Sequence, residues 1–184
     1  MNAKYKKSLK LVTLLITAIL IATGSVFAYS ELFMYGSDIT ITDTRVSLVN
    51  GADTLTISTN GVENSGTTVD FDQITIAVDE LLTYDEAVNI QNTAGSDKDL
   101  DLTVTGLTGE FSTNFDYIYI TVFDSNPTQQ GAQIQMLPSG SNVTTTGSIQ
   151  IPNGATWTVQ WTIKASVGAT AAQSIDITVQ LTVQ

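Results

Sequence analysis

Histidine and cysteine are both absent from this sequence, so its chemistry rests on carboxylates, hydroxyls and a few cations. The commonest general base and the commonest transition-metal ligand are missing together, and no disulfide can form. Asp97, Asp99 and Asp101, with Lys98 between them, are the acidic residues whose spacing best suits a metal, because alternate carboxylates in a loop fit a hard cation such as Ca2+. The run lacks the glycine and distal glutamate of an EF-hand loop, and a solvated turn leading into a strand accounts for it as well. Asp70 with Asp72, and Asp79 with Glu80, are poorer pairs. A glycosidase needs only two carboxylates, and eighteen acidic residues are present, yet none stands in a recognisable setting. A serine nucleophile would have to take Lys98 or Lys164 as its base. The chain therefore reads as no enzyme, with no cofactor beyond that candidate Ca2+.

Two further patterns bear on recognition. Asn142-Val143-Thr144 is the only N-x-S/T sequon and lies in a polar stretch, which makes Asn142 a candidate glycosylation site or an ordinary loop asparagine. Trp157 and Trp161 share one face of an alternating segment, where they form either a sugar-stacking platform or part of a core or subunit contact.

The N-terminus bears on the compartment. Lys4, Lys6, Lys7 and Lys10 precede an apolar run from Leu11 to about Ile21, and Gly24-Ser25-Val26-Phe27-Ala28 follows. Val26 and Ala28 occupy the −3 and −1 positions of a signal-peptidase site, which puts the cut between Ala28 and Tyr29. Retention of the apolar stretch as a membrane anchor is the competing reading. A pilin-type helix is usually cut before its apolar run, and no small residue ends this basic region. After cleavage, 156 residues remain, with Arg45, Lys98 and Lys164 against eighteen acidic residues, a net charge of −15. Such a surface repels nucleic acid and anionic headgroups, and membrane contact is expected only through an uncleaved signal segment.

The remainder alternates polar and apolar residues, as in Asp38–Thr42, Thr54–Ser58, Ile74–Val78, Leu100–Val104, Tyr117–Phe123, Thr156–Ile163 and Ile175–Val183. That period marks half-buried antiparallel strands. Asn50-Gly51, Asn60-Gly61, Gly106, Asn126-Pro127, Pro138-Ser139-Gly140 and Pro152-Asn153-Gly154 signal turns. A short stretch from Asp79 to Ala87 has helical or loop character. The expected fold is all-β, an antiparallel two-sheet sandwich of jelly-roll type with roughly eight to ten strands, preceded by an N-terminal hydrophobic signal helix. Its parts are a Sec signal peptide at 1–28, an N-terminal segment at 29–36 and one β domain at 37–184.

Two passages carry a family resemblance. The first runs from Leu81 through Glu86-Ala87-Val88-Asn89-Ile90-Gln91-Asn92-Thr93-Ala94-Gly95-Ser96, continuing through Asp99-Leu100-Asp101-Leu102-Thr103-Val104. The second runs from Ile151-Pro152-Asn153-Gly154 through Trp157 and Trp161 to a last strand ending Val183-Gln184. They resemble the strand–turn–strand and the closing hairpin of TasA/camelysin-type biofilm-fibre proteins, and the plan is similar to that of archaeal bundling pilins. The body lacks the lysines common in bacterial members. The metalloprotease label of some camelysin relatives is not carried over to a chain without histidine.

The resemblance implies a secreted filament subunit that assembles by donor-strand exchange, with further copies of itself as partner and lateral bundling of filaments. The candidate donor is Tyr29-Ser30-Glu31-Leu32-Phe33-Met34-Tyr35, in which five of seven residues are apolar or aromatic. Two or three of these side chains, buried at about 1.5–3 kcal/mol each, would anchor it in a neighbour. It could equally be the first strand of its own sheet. The rival functions are a monomeric secreted adhesin or carbohydrate-binding module using the tryptophans, and a membrane-tethered surface-layer accessory protein.

Overall fold

Alternation of Val, Ile and Leu with Thr, Gln and Asp gives strands with one apolar face, and two such faces packed together exclude water from both. The computed structural model describes residues 32–35, 39–41, 45–63, 66, 68–71, 74–109, 111–138, 142–170 and 174–184. The expected signal helix, the Ala28–Tyr29 cleavage site, Ser30 and Glu31 lie outside the described residues.

Thirteen strands occur among the described residues: β1 (Leu32–Tyr35), β2 (Ile39–Ile41), β3 (Val46–Val49), β4 (Val62–Glu63), β5 (Thr68–Val69), β6 (Ile74–Ile76), β7 (Leu81–Asn92), β8 (Lys98–Gly109), β9 (Phe115–Phe123), β10 (Gln129–Met136), β11 (Ile149–Ile151), β12 (Thr156–Ala165) and β13 (Ser174–Val183). Two single helical turns, α1 (Thr54–Ile57) and α2 (Phe111–Asn114), interrupt them. The strands form two sheets. The larger has eight strands, with the order β11-β8-β13-β2-β5-β4 and, off this path, β1 between β13 and β6; the smaller runs β10-β9-β12-β7-β3. Pairing is antiparallel except where β1 and β2 run parallel to β13.

From β7 onward the long strands wind as a ribbon. β9 pairs with β10 in the smaller sheet, β8 with β11 in the larger, and β7 with β12 in the smaller again. Each step inward along the ribbon changes sheet, so both apolar faces meet in one core. Phe71, Phe115, Ile118, Ile120, Val159 and Trp161 lie in it fully buried.

One side of the sandwich is closed by the segment from Asn142 to Gly147. Gln135 and Val143 exchange both main-chain hydrogen bonds, at 2.8 and 3.0 Å, and Val104 N–H donates to Thr144 O at 2.7 Å. The segment therefore ties β10 of one sheet to β8 of the other. Gly131 makes the approach possible, since a Cβ there would stand 2.6 Å from Thr146 O and its φ is +70°.

Three local expectations are corrected. Thr54–Ser58 is a helical turn rather than a strand: Leu55 is 65% exposed and Ile57 5%, which separates two residues that a strand would put on one face. The turn is set by its partners. Asp53 N–H donates to Glu86 O, Glu86 N–H donates to Asp53 Oδ2, and Thr54 Oγ1 donates to Ala87 O. These bonds seat α1 on a bulge of β7 between Tyr84 and Val88. Asp79–Ala87 is not helical: Asp79 turns the chain at φ 59°, and β7 begins at Leu81. Gly106 is no turn either, because β8 continues to Gly109, with a bulge opposite Thr178 and Val179.

Candidate functional site

The N-terminal segment and the strands beside it form the first candidate. Leu32–Tyr35 extends beside two strands of the same chain. Phe33, Met34 and Tyr35 stand opposite Ser174, Ile175 and Asp176 of β13, while Leu32, Phe33 and Met34 stand opposite Ile76, Thr75 and Ile74 of β6. Ile74, Ile76 and Ile175 are buried. β1 thus fills a slot with a β-strand wall on each side, and those walls carry three buried isoleucines. Beyond Gly36–Asp38, β2 continues in the same direction along β13 at Val179–Leu181, with β5 on its other side.

The turns at residues 92–97 and 151–155 meet at one end of the sandwich. Asn92 is 0% exposed. Its Nδ2 donates to Ser96 O at 2.9 Å and to Ile151 O at 3.1 Å, and its Oδ1 accepts from Ala94 N–H at 2.9 Å. The second turn reciprocates: Gly95 N–H donates to Asn153 Oδ1 and Asn153 N–H donates to Asp97 Oδ1, each at 2.9 Å. Main-chain bonds from Asn92 N–H to Ala155 O and from Gly154 N–H to Asn92 O complete the lock. Buried amide groups must be satisfied, and here one asparagine satisfies acceptors from both turns.

The three aspartates proposed for calcium are not brought together. Asp97 is spent on the turn just described, Asp99 accepts from Gln150 Nε2 at 3.3 Å, and Asp101 accepts from the hydroxyls of Thr103, Thr145 and Thr146. Among the described residues no three acidic side chains are grouped to hold a metal ion. Asp79 instead receives Lys164 Nζ across the β6–β7 turn.

Trp157 and Trp161 are 4% and 1% exposed, so they offer no face for sugar stacking. Trp161 packs edge-on against Phe71 with ring centroids 5.5 Å apart, and its Nε1–H finds no acceptor among the described residues. Both indoles belong to the core.

A groove of about 520 Å³ beside the β9–β10 turn, lined by Asp85, Glu86, Phe123, Asp124 and Gln160 among others, gave no signal in the sequence. Its carboxylates are held internally. Asp85 accepts from Gln160 Nε2, Glu86 from Ala52 N–H, and Asp124 from Asn126 N–H, Thr128 N–H and Gln130 Nε2.

Among the described residues, Tyr84 has its acidity shifted by the fold. Burial, then the negative charges of Asp53 and Glu80, push its phenol above the ordinary value. The native state therefore holds this proton more tightly than the unfolded chain does. Its contribution to stability is complete below about pH 10 and is lost as pH rises through and beyond that value. Denaturant midpoints should fall at alkaline pH, and Tyr84→Phe should flatten that fall. An unchanged slope would show that other tyrosines carry it.

No protein-family model matches this chain, and no curated protein matches it significantly.

Proposed function

We propose that this chain is an exported, non-enzymatic subunit of an extracellular filament. In this reading a jelly-roll-like domain polymerises by placing its N-terminal strand in the sheet of a neighbour. Residues 1–28 serve as the signal peptide, and further copies of the chain are the partners.

The observation that carries the reading is the place of β1 in the winding. The ribbon pairs β9 with β10, β8 with β11 and β7 with β12, alternating sheets. The next pair in that series, back in the larger sheet, is β6 with β13. These two do not pair with each other; each pairs with β1 instead. Without β1 the larger sheet has a gap one strand wide, bordered by unpaired main-chain groups and buried isoleucines. Such a gap accepts an extended segment by main-chain hydrogen bonding, and the bonds are the same whether the segment comes from this chain or another. An unfilled gap is also an aggregation hazard, which favours a built-in occupant. The net charge of −15 on residues 29–184 keeps free subunits apart and lets salt or divalent cations draw finished filaments into bundles.

Electron microscopy of residues 29–184, beside the same chain without Tyr29–Tyr35, tests this. Filaments are expected from the first and none from the second. Filaments from both would move the contact elsewhere. Monomers from both, at high concentration with calcium, would leave a monomeric secreted module.

A further inference from the structure

Asn142 is the sequence motif that the filament reading leaves unused. Asn142, Val143 and Thr144 are all exposed, although the segment they begin is anchored to both sheets. Asn142 Oδ1 accepts Leu137 N–H at 2.8 Å, which fixes the amide by its oxygen and leaves Nδ2 as its donor group. Val143 is held to Gln135 by two main-chain bonds, so the middle of the sequon forms an isolated β-bridge with β10. Thr144 follows with its carbonyl bonded to Val104 N–H. The sequon stands on the surface, where a glycosyltransferase can reach Asn142.

We propose that Asn142 carries an N-linked oligosaccharide, an inference that rests on the exported reading above. In the transfer, Nδ2 attacks the anomeric carbon of a lipid-phosphate-linked oligosaccharide. The carbon–oxygen bond to phosphate breaks, the lipid phosphate leaves with the electron pair, and Nδ2 gives up one proton. The glycan then stands on the flank where the Asn142–Gly147 segment covers the free edge of β10. A hydrated chain at that position adds bulk beside an edge that the segment's few main-chain bonds cover only in part. It also lies near the end of the sandwich where β1 begins: Gln135 and Met136 pair with Tyr119 and Ile118 near the start of β9, and α2 links that start to Gly109, the partner of Ile175.

The test is the intact mass and peptide map of the full chain expressed in its own host, with cell and medium analysed separately. Expected is an added oligosaccharide mass on the Asn142 peptide of the exported chain. It should be lost in Asn142→Gln and Thr144→Ala and kept in Thr144→Ser. Thr144→Ser and Asn142→Gln should retain the β-sheet circular dichroism of the parent, which separates loss of the sequon from loss of the fold. An exported chain of unmodified mass, or an addition that survives Asn142→Gln, overturns the glycan while leaving export intact. A chain found only inside the cell overturns both.

Discussion

Replacing Asn92 by alanine should lower the thermal midpoint of the unassembled chain by roughly 6–12 °C, read by far-UV circular dichroism. Three side-chain hydrogen bonds disappear together, each worth about 1 kcal/mol net. The carbonyls of Ser96 and Ile151 also lose a donor, at a site where Asn92 itself is wholly buried. The bond to Ile151 O is itself buried, so its loss leaves a buried acceptor unpaired, and a total of about 3 kcal/mol should be felt. Asn153→Ala is the comparison. It removes the exposed bond to Gly95 and leaves no buried group unpaired, so its cost should stay below about 1 kcal/mol. If the two variants melt alike, Asn92 is an ordinary turn residue and the lock has no special weight.

That contrast also shows what was legible in the sequence. Trp157 and Trp161 alternate with threonine, and period two alone puts both on one face of β12; burial of that face then follows from its apolar content. The Asn92 and Asn153 turns were each visible as turns. Their union was not, because Gly95 and Asn153 are 58 positions apart and no local rule joins them. Thr54–Ser58 failed for a related reason. Five alternating residues fit a strand or one helical turn, and the deciding bonds come from Glu86 and Ala87 on a distant bulge. Gly106 misled because glycine serves a bulge as readily as a turn. The N-terminal segment could be recognised as an apolar strand from its composition. The identity of its walls, β6 and β13, depended on the winding of the whole ribbon.

Paired cysteines at Phe33→Cys and Thr75→Cys should give a covalent ladder when filaments are oxidised, because these positions face one another across β1 and β6. Directly opposed antiparallel residues have Cα atoms about 4.5–5.5 Å apart, within the span of a disulfide. The parent has no cysteine, so every bridge joins introduced thiols. If β1 sits in a neighbour, each bridge links two chains, and non-reducing gels show multimers that collapse to monomer with reductant. If β1 stays in its own sheet, the bridge is internal and only a monomer is seen. Mixing the two single variants sharpens the result, since a dimer between them requires β1 of one chain in the slot of the other. The same geometry predicts slow assembly. A chain whose slot holds its own β1 must first release it, uncovering Ile74, Ile76 and Ile175 before the neighbour's strand compensates. Elongation should therefore show a lag that shortens on mild heating. Rapid assembly without a lag, together with internal bridges alone, would assign β1 to its own fold and the filament contact to another surface.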